Sequence, residues 1–120
     1  MNLRIEYHDL VDLDLLDAWT WYEDQEVGLG DRFLGAIHAT VVRASRWPNA
    51  GRPVLRDDND EIIERKVPAN HFPCAVRYRI LGDRLLVMAV LHQSRYPDFG
   101  DADKPRPSTA RAHAARSVAD

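Results

Sequence analysis

The sequence predicts a single two-layer α+β domain in the order β-α-α-β-β-β, with an antiparallel sheet covered on one face by a helical hairpin. Three observations predict this fold. Residues 3–7 alternate apolar and polar side chains, which is the period of a half-buried strand. Two stretches of helical periodicity follow, separated only by Gly28-Leu29-Gly30. Near the end, two β-rich runs flank Gly82-Asp83, a two-residue hairpin turn.

The two helices are predicted from apolar residues that recur every three to four positions. Asp9 is placed to cap the first helix. The apolar stripe of this helix consists of Val11, Leu15, Ala18 and Tyr22, and Leu16 and Trp19 are expected to widen it. Asp31 is placed to start the second helix, whose stripe is Phe33, Ile37, Val41 and Ala44. Trp19, Trp21 and Trp47 are expected to pack the helices. A turn this short makes the pair an αα-hairpin.

The remaining segments predict one more strand and a tail. Residues 49–53 are rich in turn formers, residues 57–61 form a solvated acidic loop, and residues 62–67 have the pattern of a strand. After Tyr96 the chain becomes rich in proline, alanine and arginine, and residues 108–118 could form a short helix. We therefore divide the chain into a domain of residues 1–96 and a loosely attached tail of residues 97–120 that orders on a partner.

Composition limits the classes of protein that the chain can belong to. Its 120 residues are 45% hydrophobic, and no apolar run approaches the ~20 residues that span a bilayer. The N-terminus lacks the apolar stretch of a signal peptide, and the single Cys74 cannot form an internal disulfide, so a reducing cytoplasm is the expected location. The histidines have no metal-site spacing, and no metal or other cofactor is predicted.

The net charge of −3 conceals an uneven distribution. Residues 1–31 carry nine acidic residues and one basic residue, whereas residues 62–96 carry six basic residues and two acidic ones. The molecule is therefore expected to have an acidic helical side and a basic strand side. A basic sheet face would suit an acidic protein segment or a phosphate backbone, although simple solubility would explain the same charges.

The final hairpin predicts a binding surface. If Gly82-Asp83 forms the loop, one face carries a core set of Val76, Tyr78, Ile80, Leu85, Val87 and Ala89. The opposite face pairs Arg77 with Met88, Arg79 with Leu86 and Ala75 with Val90, and also carries His92. We expect this face to stay open and to bind a partner through Arg77, Arg79, Leu86, Met88 and Val90, because arginines beside bare apolar side chains are unusual in water.

Three further features of the sequence bear on this surface or on possible chemistry near it. Either Arg65 or Lys66 should join the open face, and both registers of their strand are plausible. Cys74 falls on the core face and is interpreted as a small buried hydrophobe. The acidic loop at residues 57–61 lacks the glycine and the distal glutamate of a calcium loop, so no calcium site is predicted.

An ordered series of short motifs across residues 1–96 resembles the RelE/ParE toxin superfamily. The series comprises Trp21-Tyr22-Glu23-Asp24-Gln25, Gly28-Leu29-Gly30-Asp31-Arg32-Phe33-Leu34, Trp47-Pro48, Gly51-Arg52-Pro53, Phe72-Pro73, Tyr78-Arg79, Gly82-Asp83 and Val90-Leu91-His92. The resemblance implies a bacterial toxin of a type II toxin–antitoxin pair, silenced by its cognate antitoxin in a hetero-oligomer. The Gly-Leu-Gly-Asp-Arg-Phe turn and the Leu-His strand ending look more like the ParE side of the superfamily.

Two activities are implied by this resemblance, because ParE-like members poison DNA gyrase and RelE-like members cut messenger RNA on the ribosome. Metal-free RNA cleavage requires a base, an acid and a group that stabilises the phosphorane charge. The candidate catalytic residues are Arg77, Arg79, His92, Arg95 and Tyr96. Ala75 stands where active nucleases of this kind commonly carry an arginine.

We therefore favour a toxin that acts by binding gyrase. Two alternatives stay open: a ribosome-dependent endoribonuclease, and a degenerate member that retains only antitoxin binding. In all three cases the open face is the expected antitoxin site.

Overall fold

The computed structural model describes residues 3–92 and the backbone of residues 112–114. Within these residues the chain forms two helices and six strands. They are β1 (Arg4–His8), α1 (Val11–Gln25), α2 (Leu29–Arg46), β2 (Arg52–Arg56), β3 (Ile62–Pro68), β4 (Cys74–Leu81), β5 (Arg84–His92) and β6 (Ala112–Ala114). The predicted α+β fold class, with a helical hairpin packed on one face of a sheet, is confirmed.

The strands form one sheet in the order β2-β3-β4-β5-β1-β6. Neighbours from β2 to β5 are antiparallel, but β1 runs parallel to β5, so the sheet is mixed rather than wholly antiparallel. Two strands were not predicted. β2 contains Pro53, which is tolerated because the strand lies at the sheet edge. β6 pairs with β1 in the segment where a short helix was considered.

The helical hairpin buries the apolar stripes that the sequence predicted for it. Phe33, Ile37 and Val41 of α2 are buried, and so are Val11 and Ala18 of α1. These side chains pack against the strands in one core. Neither helix is long and apolar enough to cross a membrane within the part of the chain that the structure describes.

The ends of the helices differ from the prediction. Leu10, rather than Asp9, occupies the N-cap position of α1, and among the described residues no side chain makes a capping hydrogen bond there. α2 begins at Leu29, two residues before Asp31. Leu16 does not widen the buried stripe, because it points away from the core and is 59% exposed.

Glu23 joins the end of α1 to the beginning of α2. Its two carboxylate oxygens accept hydrogen bonds from the backbone N–H groups of Gly28 and Gly30, at 2.9 and 3.0 Å. Trp19 adds a hydrogen bond from Nε1 to Asp31 Oδ1 at 3.0 Å. The carboxylate thereby satisfies N–H groups that the start of a helix leaves unpaired, and it lies where the helix dipole favours negative charge. The predicted turn is therefore held by side chains of the preceding helix.

Glycine is required at two positions of this turn for different reasons. Gly28 adopts φ +89°, a left-handed conformation that other residues rarely take. At Gly30 a Cβ atom would lie 2.7 Å from the indole ring of Trp19 and 2.9 Å from Glu23 Oε1. The close approach of the two helices thus depends on the absence of a side chain.

Two glycine-to-alanine substitutions in α2 should have opposite effects on stability. Gly30→Ala should lower the free energy of unfolding by about 1–3 kcal/mol, because the methyl group displaces Trp19 and Glu23. Gly35→Ala meets no atom within 4 Å and should raise it by up to about 1 kcal/mol through helix propensity. Urea unfolding followed by circular dichroism measures both values, and a Gly30 variant as stable as the Gly35 variant would contradict the packing.

Candidate functional site

The face of the sheet away from the helices, called here the second face, carries the predicted binding residues of β4. Tyr78 packs in the core beneath the helices, so its neighbours Arg77 and Arg79 point to the second face. On β3, Arg65 pairs with Tyr78 and Lys66 with Arg77. The open choice between Arg65 and Lys66 is thereby decided, because Lys66 joins the second face and Arg65 lies on the helix side.

A β-bulge at Met88 divides β5 into two halves with opposite orientations. The predicted register holds as far as Tyr78 opposite Val87, but Arg77 then pairs with Ala89 instead of Met88. One extra residue reverses the alternation of every side chain that follows. Leu86 and Met88 precede this reversal and keep their predicted place on the second face.

Val90 and His92 lie on the helix side, so their predicted place on the open face is wrong. Val90 is fully buried in the core under the helices. Ala89, predicted in that core, instead forms a separate small cluster with Leu91. The physical reason is the bulge, which no pattern of apolar residues in β5 reveals because every position from Leu85 to Leu91 is apolar.

The expectation that the second face is open to solvent is also wrong. The exposed fractions are 5% for Arg77, 8% for Arg79, 2% for Leu86 and 1% for Met88. Apolar side chains and arginines are both withdrawn from water here. The arginines and apolar residues that suggested a binding surface therefore form a buried layer that contains charged groups.

Glu64 of β3 provides the counter-charge for this layer. Its Oε1 accepts a hydrogen bond from Arg79 Nε at 2.8 Å, and its Oε2 lies in an ion pair 2.5 Å from Arg77 Nε. Glu64 is only 1% exposed. A buried carboxylate between two guanidinium groups offsets the cost of removing the charges from water.

Sequence reasoning missed Glu64, although a signal was present. Two arginines at alternate positions of one strand need an anion on the neighbouring strand if their face is buried. Glu64 lies on the neighbouring strand, at the same alternation as Lys66. The signal was missed because the face was expected to be solvated, where arginines need no partner.

His92 belongs to an aromatic group under the helices. Its Nε2 lies 3.0 Å from the hydroxyl of Tyr22, and its ring stands 6.0 Å from that of Trp21. Tyr22 also contacts the Cys74 sulfur at 3.8 Å. His92 is thus on the opposite side of the sheet from Arg77 and Arg79, and these three candidate catalytic residues do not converge. The remaining two, Arg95 and Tyr96, lie outside the described residues.

Cys74 is buried, as the sequence predicted, and its thiol is held in the neutral form. Burial raises the pKa of Cys74 to about 11, although the hydrogen bond with Tyr22 opposes this shift. Burial likewise raises the pKa of Tyr7 to about 12. Both groups are therefore neutral core residues at neutral pH. Because the thiolate is the nucleophilic form of cysteine, Cys74 is not a nucleophile under these conditions.

A second residue that the sequence did not single out is Asp14 of α1. Its carboxylate is 7% exposed and accepts a hydrogen bond from the Val90 backbone N–H at 3.0 Å. The pairing of β1 with β5 ends at Tyr7 opposite Val87. Asp14 therefore bonds to a part of β5 that lies beyond this pairing. The contact anchors α1 over the bulged half of the strand.

A cavity of about 220 Å³ lies where α2 ends above the sheet. Its lining includes Trp47, which is 61% exposed, so the expectation that this residue packs the helices is wrong. Tyr78 forms one wall; its hydroxyl donates to Pro48 O at 2.7 Å and accepts from Gly51 N at 3.1 Å. Burial raises the pKa of Tyr78. The described lining of the cavity is mostly apolar.

The acidic loop is solvated, as predicted. Asp57 Oδ1 accepts hydrogen bonds from the backbone N–H groups of Asn59 and Glu61, at 2.8 and 3.0 Å. This carboxylate therefore shapes its own turn. Across residues 3–92, no three histidine, cysteine or acidic side chains lie together as metal ligands would.

The fold defines the class of protein to which the chain belongs. A helical hairpin after the first strand, packed on a sheet whose β2 to β5 run antiparallel, is the RelE/ParE-like arrangement. A family model described as the ParE toxin of the type II toxin–antitoxin system, parDE, matches residues 5–97. The chain belongs to this family, and it is the toxin of a toxin–antitoxin pair. A comparison with curated proteins finds no match.

Removal of the Glu64 charge should destabilise the fold strongly. In Glu64→Gln, two buried guanidinium groups lose their anion, and the free energy of unfolding should fall by about 3 kcal/mol or more. The control is Glu61→Gln in the exposed loop, which should change it by less than about 0.5 kcal/mol. Urea unfolding midpoints measure both, and equal midpoints would show that the ion cluster is not buried in solution.

The Cys74 thiol should resist alkylation until the protein unfolds. At pH 8, iodoacetamide should modify folded protein far more slowly than protein in guanidinium chloride, because the thiol is buried and neutral. Since the folded pKa, about 11, lies above the ordinary value of 9.0, the associated stability is present below pH 9 and declines as the pH rises towards 11. Mass spectrometry measures the rates, and rapid labelling at pH 8 would contradict this burial.

Proposed function

We propose that this toxin acts by binding DNA gyrase in the bacterial cytoplasm and that its cognate antitoxin neutralises it. Membership of the ParE family supports the gyrase target over the ribosome. The single observation that carries the proposal is the division of the candidate nuclease residues: Arg77 and Arg79 are paired with Glu64 on the second face, whereas His92 lies under the helices.

The requirements of RNA cleavage make this division significant. A metal-free nuclease needs a proton acceptor, a proton donor and a cation within reach of one phosphate. The guanidinium groups of Arg77 and Arg79 are instead held by a buried carboxylate. His92 would have to reach through the sheet to act with them. The ribonuclease alternative would therefore depend on Arg95, Tyr96 and a rearranged sheet.

The predicted contact residues on the second face remain a proposal with an added condition. Arg77, Arg79, Leu86 and Met88 can touch the antitoxin or gyrase only if binding uncovers them, since each is almost fully buried. Met88→Glu, expected from the sequence to weaken a complex without unfolding the domain, should instead destabilise the fold, because it places a carboxylate in a buried layer. Variants at this face consequently report on folding before they report on binding.

The proposal predicts inhibition of supercoiling by the purified chain. Relaxed plasmid is incubated with gyrase and ATP, and supercoiled product is followed on agarose gels as the toxin is added. Product should fall with increasing toxin and recover when purified cognate antitoxin is added at equimolar amounts, because a neutralised toxin no longer reaches its target. Toxin unfolded by heat is the matched control and should leave supercoiling unchanged.

Induction in bacteria separates the proposed target from the ribosome. Growth arrest with intact transcripts and lost plasmid supercoiling supports gyrase. Arrest with codon-phased breaks in messenger RNA, mapped by primer extension, would replace gyrase with ribosome-dependent cleavage. Normal growth, together with tight antitoxin binding and unaffected gyrase, would instead identify a degenerate member that only binds its antitoxin.

A further inference from the structure

The outer surface of α1 carries an apolar stripe that the fold does not use. Leu13 and Leu16 are each 59% exposed, and Leu10, at the N-cap, is 40% exposed. The three residues, called here the leucine stripe, recur every third position and therefore lie along one side of the helix. From the first to the last they cover about 9 Å of helix length. A row of exposed leucines is a surface that partner proteins commonly bury.

The second helix shows that this exposure is specific to α1. Every large apolar side chain of α2 is buried or half-buried, and Phe33, Ile37 and Val41 all face the core. α1 also has a complete inner face, formed by Val11, Ala18 and other core residues. The leucine stripe is thus a second apolar face on a helix whose first face already anchors it.

Exposed carboxylates flank the leucine stripe. Asp12 and Asp17 are both exposed and lie on its two sides at 100° per residue, and Asp9 is exposed at its N-terminal end. No basic residue lies between Arg4 and Asp31. An apolar centre with an acidic rim matches a helix that has apolar side chains on one face and lysines or arginines beside them.

We propose that the leucine stripe docks a basic amphipathic helix of the cognate antitoxin. The proposal rests on the antitoxin part of the proposed function. The antitoxin is the partner that the family implies, and the second face, where its site was expected from the sequence, is buried. The leucine stripe is available without any rearrangement of the sheet.

Charge disfavours two other occupants of the same surface. A second copy of the chain, packed stripe to stripe, would bring its own Asp12 and Asp17 against those of the first copy, and like charges oppose such a contact. An anionic membrane surface would repel the same carboxylates. A basic partner segment turns these charges into favourable contacts.

The test measures the dissociation constant of the full chain for its purified cognate antitoxin by isothermal titration calorimetry. The double variant Leu13→Glu/Leu16→Glu should bind about a hundredfold more weakly, because it removes apolar contact and adds carboxylates against apolar side chains. Trp47→Glu is the control, since it places the same group at another exposed apolar residue, at the end of α2. It should bind within about threefold of the unaltered chain.

The charged rim is tested separately by Asp12→Asn/Asp17→Asn, which removes two exposed negative charges and keeps the size of both side chains. Its affinity should fall about tenfold in low salt and approach that of the unaltered chain as salt is raised, because screening removes the contribution of the rim. Thermal unfolding by circular dichroism checks that all variants keep the stability of the unaltered chain.

Several results would overturn the docking site. They are unchanged affinity in the leucine variant, a loss confined to Trp47→Glu, and a dimer of the toxin alone that Leu13→Glu dissociates in light-scattering measurements. The last result would assign the leucine stripe to a second copy of the chain. Failure of the unaltered chain to bind its antitoxin at all would contradict the proposed function itself, so the two failures are distinguishable.

Discussion

The fold depends on a one-residue bulge in its central strand. β5 lies between β4 and β1 and contributes side chains to both faces of the sheet. The extra residue at Met88 allows Leu85 and Val87 to face the helices in the first half and Val90 to do so in the second. Without it, Val90 would turn away from the core and lose the hydrogen bond from its N–H to Asp14. The bulge therefore decides which residues can meet, and with them the chemistry available on each face.

The ion cluster around Glu64 decides whether Arg77 and Arg79 form a binding surface or part of the buried structure of the sheet. In water, Arg77 and Arg79 would form a cationic surface suited to a phosphate backbone or an acidic peptide. With Glu64 between them and almost no exposed area, they form a structural element of the sheet. Buried ion pairs of this kind add little net stability but are costly to break, so they restrict how the face can rearrange.

The two helices of the hairpin differ in how much of their apolar surface is buried. α2 has one apolar face, which is buried, while α1 has an inner face in the core and the leucine stripe outside. Their connection is fixed by Glu23, whose carboxylate binds the N-terminus of α2, and by Gly30, which leaves room for Trp19. This connection fixes the position of α1 against α2, so the docking that we propose on the leucine stripe would require little ordering of the helix.

Local patterns in the sequence were sufficient for the helices, the Gly28-Leu29-Gly30 turn, the register of the final hairpin up to Tyr78 opposite Val87, and the family. The helices, the turn and the register follow from periodicity and turn chemistry within a few residues, whereas the family follows from the resemblance of an ordered series of motifs across the domain. Tertiary structure alone decided the rest: the parallel pairing of β1 with β5, the bulge, the burial of the second face and the exposure of Leu16. Each of these depends on contacts between segments far apart in the chain, where several arrangements satisfy the same local pattern and only packing selects among them.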